Sequence, residues 1–333
     1  MLELRTPRGL PVRVPESGEE DPSPRFDVDQ PQEMEEYYRA NGYAIAGAVI
    51  PPTTCERIRG LWNTEVKPSN EFMYRQATAR AERHVRSPQG WVMNPILNLQ
   101  SVDPRRYPHF RRCAREEVLT ARGLARGFTA LLGDTPKIVQ SMYFEGNSST
   151  WEHQDSYYLD SERLGTMVGA WVALEDIHAE AGRFFVCPRS HLIDLGRHNS
   201  ANNIVDRHDQ YIESVVAKIR ALALEIRAPC LRAGDVLFWN ARTIHGSLDS
   251  RSERHSRSSI TCHAIARRDR FLQLQSRIVR LDLAEVNGIE IHQPKDLAKA
   301  KNRAILFVES RLPKLFYAAK ALAVRHVVRS RNG

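Results

Sequence analysis

Apolar positions along this chain recur mostly with period two, in short runs separated by Gly-, Pro- and Asn-rich breaks. Tyr43–Ile50 reads as a strand with Tyr43, Ile45 and Val49 on one side, and Gly47 interrupts that side as a bulge does. Pro136–Glu145 alternates Ile138, Gln140, Met142 and Phe144 against Val139, Ser141 and Tyr143. Val168–Leu174 is apolar around Trp171, and Gly182–Val186 is stopped by Pro188. Val236–Asn240 follows the turn Ala233-Gly234-Asp235, Thr243–His245 reads as its continuation, and Ser258–Ile265 closes the set. Helical spacing marks Gln32–Asn41, closed by Gly42, and a helix opened by Pro51-Pro52 with Thr53 or Thr54 as N-cap. It also marks His109–Leu132, Gln210–Leu222 inside a polar insertion (191–230), Leu297–Val308 and Leu312–Val328. Residues 67–105, with Trp91, Ile96 and Leu97, read as a strand or a pocket-lining loop. Many short strands divided by turns argue for a sandwich or jelly roll over a parallel α/β sheet.

Composition sharpens the boundaries. Residues 1–30 are rich in Pro, Glu, Asp and Arg without periodicity and read as an extended lead-in. Residues 31–270 form the expected domain, and 271–333 a basic helical extension. At 42% hydrophobic the chain can bury a sizeable core. No apolar run approaches the ~18 residues of a membrane span, and the N-terminus lacks an apolar export segment, so a cytoplasmic location is expected. Five cysteines without a CxxC read as reduced thiols. Between 295 and 333, ten basic residues face Asp296 and Glu309, which accounts for the whole formal charge of +8. The basic amphipathic helix there has two readings: packing on the core or a partner subunit, which is preferred, or peripheral contact with an anionic membrane. The Arg-rich balance lacks a nucleic-acid recognition motif, so no nucleic-acid partner is expected.

Candidate chemistry centres on Thr150–Asp155, which holds the only His-x-Asp of the chain. On a strand, His153 and Asp155 project to one face. A second histidine on a neighbouring strand would complete a two-His, one-carboxylate set, which leaves open positions on a non-haem Fe(II). By itself the triplet is equally read as a strand histidine satisfied by hydrogen bonds.

The order His153-Gln154-Asp155, Ala170-Trp171, Ala181-Gly182 leading to Pro188-Arg189-Ser190-His191, Ala233-Gly234-Asp235-Val236 and Ile244-His245-Gly246-Ser247 resembles the phytanoyl-CoA dioxygenase family. The helix–strand–helix opening at 35–52 resembles it too, and the likeness spans roughly residues 33–266. The resemblance implies a mainly β fold, a double-stranded β-helix (jelly roll, cupin-like) core with flanking α-helices. It implies an Fe(II)/2-oxoglutarate-dependent dioxygenase, with 2-oxoglutarate and O2 as co-substrates and release of succinate and CO2. His153, Asp155 and His245 become the iron ligands. Arg257, or Arg254 under an alternative alignment, becomes the partner of the distal carboxylate of 2-oxoglutarate; Trp171, Ser247, Gln154 and Met142 line the co-substrate pocket. Arg189 stands where the family commonly has Gly. The carboxylate of Asp155 points to hydroxylation over halogenation. His178, His191 and His263 are expected in supporting roles. Tyr157, Tyr158, Arg163, Trp91, Asn94 and Asn98 are candidate substrate contacts. The expected substrate is a small molecule, natural product or glycan. The alternatives are a non-catalytic jelly-roll binding protein and an oxygenase acting on a lipid-linked substrate at the membrane surface.

Overall fold

The computed structural model describes residues 1–146, 148–193, 195 and 208–320. Its strands, in chain order, are β1 (Leu2–Arg5), β2 (Pro11–Val14), β3 (Arg25–Phe26), β4 (Tyr43–Ala46), β5 (Met73–Tyr74), β6 (Ala81–Glu82), β7 (Ile96–Leu97), β8 (Pro136–Phe144), β9 (Ser148–His153) and β10 (Leu159–Ser161). They continue with β11 (Val168–Ala173), β12 (Phe184–Val186), β13 (Val236–Asn240), β14 (His245–Asp249), β15 (Ser259–Ala266), β16 (Phe271–Gln273), β17 (Arg277–Val279), β18 (Leu283–Val286) and β19 (Ile289–His292). One large sheet runs β18-β19-β8-β15-β11-β13-β4-β3, with β7 also on β8, and a small sheet runs β12-β14-β9. This is the jelly-roll arrangement that the strand pattern and the resemblance led to expect.

Alternation assigns each face of the large sheet. Ala170, Val172, Phe238, Ile260 and Cys262 point to the main core, beneath α1 (Pro31–Asn41), α2 (Pro52–Leu61), α3 (Pro108–Arg112) and α4 (Arg122–Leu132). Trp171, Leu237 and Trp239 point inward, toward the small sheet. Gly127 lets α4 approach closely, since a Cβ there would lie 2.5 Å from the Phe238 ring. Gly42 closes α1 at φ 78, as the sequence pattern predicts.

Several expectations are corrected. The N-cap of α2 is Pro51 in extended conformation, and the cap makes no side-chain hydrogen bond, so neither Thr53 nor Thr54 serves. The predicted helix His109–Leu132 is broken: a π-helical stretch, Cys113–Leu119, ends at Thr120, and α4 starts afresh after the extended Ala121. That restart seats Gly123 against the Val49 carbonyl, where a Cβ would stand 2.7 Å from the oxygen. Thr243–His245 does not continue β13; the chain turns, with Thr243 N–H bonded to Asn240 O at 2.8 Å, and crosses to the small sheet. In β8 the register against β15 shifts between His263 and Ala264, so Val139 is an extra residue. Ile138 therefore joins the helix-covered core beside Tyr143, and Val139 packs with Phe271 instead.

The lead-in carries the hairpin β1–β2, whose Leu4, Val12 and Val14 are buried against Phe185 and Leu248 on the outer face of the small sheet. The segment after 270 first forms strands: β16 pairs with β10, and β19 lies parallel to β8. Only then follows α6 (Ala300–Arg311), the sixth helix after α5 (His208–Ala221) of the insertion. Residues 313–320 are again helical, with Leu315 66% exposed, and the rest of the predicted Leu312–Val328 helix lies outside the described residues. No described helix is long and apolar enough to cross a membrane.

Candidate active site

Between the two sheets lies a cavity of about 650 Å³. His153 ends β9 and His245 begins β14, and the two are directly paired across the small sheet with ring centroids 4.3 Å apart. Asp155 follows in a short 3-10 turn, with Oδ1 3.7 Å from His153 Nε2 and 3.6 Å from His245 Nε2. One ligand atom from each of the three lies within 4.8 Å of the others, a spacing that one metal ion can bridge.

The surroundings fix the state of each group. His153 Nδ1 faces Trp151 O at 2.8 Å, and His245 Nδ1 faces Thr243 O at 2.9 Å. A carbonyl only accepts, so both Nδ1 atoms carry the proton and both Nε2 lone pairs turn toward Asp155. Burial pushes the His245 imidazole down to about 3, which keeps that lone pair free at neutral pH. Asp155 Oδ2 accepts from Trp239 Nε1–H at 2.8 Å and sits 3.2 Å from His263 Nε2, which leaves Oδ1 turned to the histidines. Burial pushes the Asp155 carboxyl up, but the His245 and His263 rings and the hydrogen bond from His263 outweigh it and hold it well below the usual range. The small sheet thus supplies two imidazoles, and the large sheet orients the carboxylate between them. Trp239 was not singled out from the sequence. The signals available were its inward phase in Val236–Asn240 and Gly169 opposite, where a Cβ would lie 2.3 Å from the indole.

Arg257 lines the same cavity and is 2% exposed. Its Nη1 donates to Gly182 O at 3.1 Å, its Nε has no hydrogen-bond partner among the described residues, and its guanidinium lies 5.0 Å from the Phe144 ring and 5.7 Å from that of Trp171. Burial pulls it down to about 9, so it stays a cation at neutral pH. Arg254 is exposed on the preceding loop and does not line the cavity. Trp171, Ser247 and Met142 do line it. Gln154 does not: strand alternation turns it away from His153, and its amide donates to Arg242 O at 2.6 Å.

Of the other candidates, Tyr158 and Asn94 reach the cavity. The Tyr158 hydroxyl is 2.7 Å from His208 Nε2 of α5, and Asn94 braces its own loop through Val85 N and Arg83 O. Tyr157 instead stacks on Tyr211, Arg163 pairs with Asp269, Trp91 is absent from the lining, and Asn98 faces a separate hollow. His263 supports Asp155 as described. His191 bonds Arg39 O at 3.1 Å, and His178 stacks on His255 with ring centroids 4.1 Å apart. Arg189 adopts φ 67, the left-handed conformation that glycine favours, so the turn keeps its shape at the cost of strain.

Comparison with known proteins agrees with this geometry. The family model described as phytanoyl-CoA dioxygenase matches residues 38–259. The chain is 23% identical to phytanoyl-CoA dioxygenase, peroxisomal, of Bos taurus, over 69% of this chain and 67% of that one. It is 34% identical to phytanoyl-CoA dioxygenase domain-containing protein 1 of Mus musculus, over 38% of this chain and 44% of that one. Among solved structures, the epimerase SnoN in complex with Fe3+, alpha ketoglutarate and nogalamycin RO aligns with TM-score 0.52 at 20% identity, covering 75% of this chain and 89% of that one. EctD from S. alaskensis with 2-oxoglutarate and 5-hydroxyectoine aligns with TM-score 0.53 at 17% identity, covering 84% and 98%. At these identities the structures share the fold. The match over 38–259 goes further: the chain belongs to the phytanoyl-CoA dioxygenase family and is an Fe(II)/2-oxoglutarate-dependent oxygenase.

Proposed function

We propose that this chain is a dioxygenase that hydroxylates a small molecule, with His153, Asp155 and His245 as iron ligands and Arg257 as the anchor of 2-oxoglutarate. The observation that carries the reading is the convergence of two Nε2 lone pairs, each fixed by an Nδ1–H bond to a backbone carbonyl, on one carboxylate oxygen. A three-residue set leaves room on the metal for the co-substrate. Arg257 fits the other end: a buried guanidinium with an unpartnered Nε suits a carboxylate, which a planar fork grips at two points. Iron with 2-oxoglutarate and O2 supplies the oxidative decarboxylation to succinate and the oxygen atom that enters the substrate C–H bond. The chain's own residues do the rest. Trp239 and His263 hold Asp155 ionised and aimed, Trp171, Phe184 and Met142 keep water from the inner end of the cavity, and Tyr158 faces its outer part.

The test is an anaerobic titration with Fe(II) and 2-oxoglutarate, read as the weak visible charge-transfer band of the chelate. The band is expected in the wild type and lost in His245→Ala. Absence of the band from the wild type, or its persistence in the variant, would overturn the reading and favour a binding protein on the same fold.

A further inference from the structure

The outer part of the cavity has a distinctive chemistry. Apart from Asp155 and Arg257, no Lys, Arg, Asp or Glu lines it among the described residues. Its wall is made instead of uncharged hydrogen-bonding side chains. Ser148, Ser149 and Thr150 follow one another along β9, and Gln76 and Gln140 face the cavity from the 67–105 segment and from β8. None of these five side chains bonds to protein among the described residues: Gln76 and Ser148 are exposed to solvent, and Gln140, Ser149 and Thr150 are half-buried with their polar groups unused. Beside them stands Trp151, 40% exposed, with its ring edge-on to His208 at 5.2 Å between centroids. An aromatic face next to a row of free donors and acceptors matches a saturated ring with hydroxyls around its rim and C–H bonds on its face.

We propose that the cavity takes an uncharged, hydroxyl-rich ring compound of the glycoside kind, laid against Trp151 and hydrogen-bonded by Gln76, Gln140 and the Ser148–Thr150 row. This deepens the dioxygenase reading and rests on it for the reaction, but not for the binding. Among the described residues, this wall does not suit a coenzyme A thioester. Its phosphates call for arginines, lysines or bare backbone N–H groups. The described lining offers one guanidinium, and that one lies at the inner end beside Trp171.

The experiment is isothermal titration of the full chain with two sets of probes: methyl and phenyl glycosides of neutral hexoses and pentoses, and acetyl- and long-chain acyl-coenzyme A. At least one uncharged glycoside is expected to bind saturably, with an affinity that raised salt leaves unchanged. Trp151→Ala and Gln76→Ala, both at solvent-reached positions, are each expected to weaken it about tenfold or more. Binding of a coenzyme A thioester in preference to every glycoside, with salt-sensitive affinity, overturns the proposal. So does the failure of all glycosides to bind, or binding that both variants leave intact. The titration needs neither iron nor oxygen, so its outcome is separate from the charge-transfer band that tests the dioxygenase itself.

Discussion

Two buried arginines, Arg75 and Arg257, set the structural and the ligand-receiving parts of this molecule side by side. Both are withdrawn from water, and burial pulls both down, Arg75 to about 10 and Arg257 to about 9. Neither has a carboxylate within 4.0 Å among the described residues. Arg75 nonetheless has a partner at each nitrogen: its Nε donates to Glu82 O at 3.3 Å, its Nη1 to Asn94 O at 3.0 Å and its Nη2 to His84 Nδ1 at 3.1 Å. Neutral acceptors from its own segment enclose it and tie the otherwise irregular 67–105 stretch together. Arg257 has one carbonyl and an orphaned Nε, and it opens on the cavity. Burying a charge costs free energy unless its hydrogen bonds are made. The same side chain at the same burial is therefore a staple where its acceptors are built in, and is left open to an acceptor from outside the chain where they are not.

The contrast is broken most directly by removing each cation in turn. Arg75→Met strands three acceptors and is expected to lower stability by roughly 3 kcal/mol in urea unfolding. Arg257→Met removes an incompletely bonded charge, so its stability without ligand should equal or exceed that of the wild type. The wild type should gain about 2.7 kcal/mol when 2-oxoglutarate, with metal present, reaches a hundred times its Kd, and Arg257→Met should gain none. A destabilised Arg257 variant that still responds to 2-oxoglutarate would erase the distinction. A finer test lies at Asp155, whose Oδ2 is completed from within as Arg75 is. Trp239→Phe withdraws one donor and should weaken metal binding roughly 10- to 100-fold in a Co(II) titration, while leaving the fold intact. The smallest effect concerns pH. Burial pushes His84 from 6.5 down to about 4, as expected for a ring whose Nδ1 accepts from Arg75. The unfolded chain takes up this proton first, so stability is lost as pH falls from 6.5 toward 4, by at most about 1.4 kcal/mol per unit from this group. Amide protection in 67–105, taken relative to the intrinsic exchange rate at each pH, should fall over that window, and His84→Gln should flatten the response.

Much of this was legible in the sequence because it is local or ordered. The His-x-Asp triplet, the Gly42 cap and the alternation in β8, β11, β13 and β15 all lie within a few residues of one another. The cross-sheet partners were less legible. Trp239 bonds Asp155 from 84 positions away, and nothing near either residue announces the pair. The extra residue at Val139 has no glycine to mark it and reverses the facing of Ile138. Gln154 shows the opposite failure: the period of two already set it on the far side from His153, and the likeness to relatives outweighed that rule. The hairpin β1–β2 had its own pattern, Leu2 and Leu4 against Val12 and Val14 about Gly9, hidden by the charged and proline-rich residues around it.

That hairpin bears on any attempt to trim the protein to its recognisable part. Thr6 donates its hydroxyl to the fully buried carboxylate of Glu152, the residue before His153, and Leu4, Val12 and Val14 roof Phe185 and Leu248. A chain cut to residues 38–259 would leave a buried acid without its only donor among the described residues and open a greasy face on the back of the small sheet. The shortest piece that keeps its metal-binding strand dry begins well ahead of the stretch by which its family is known.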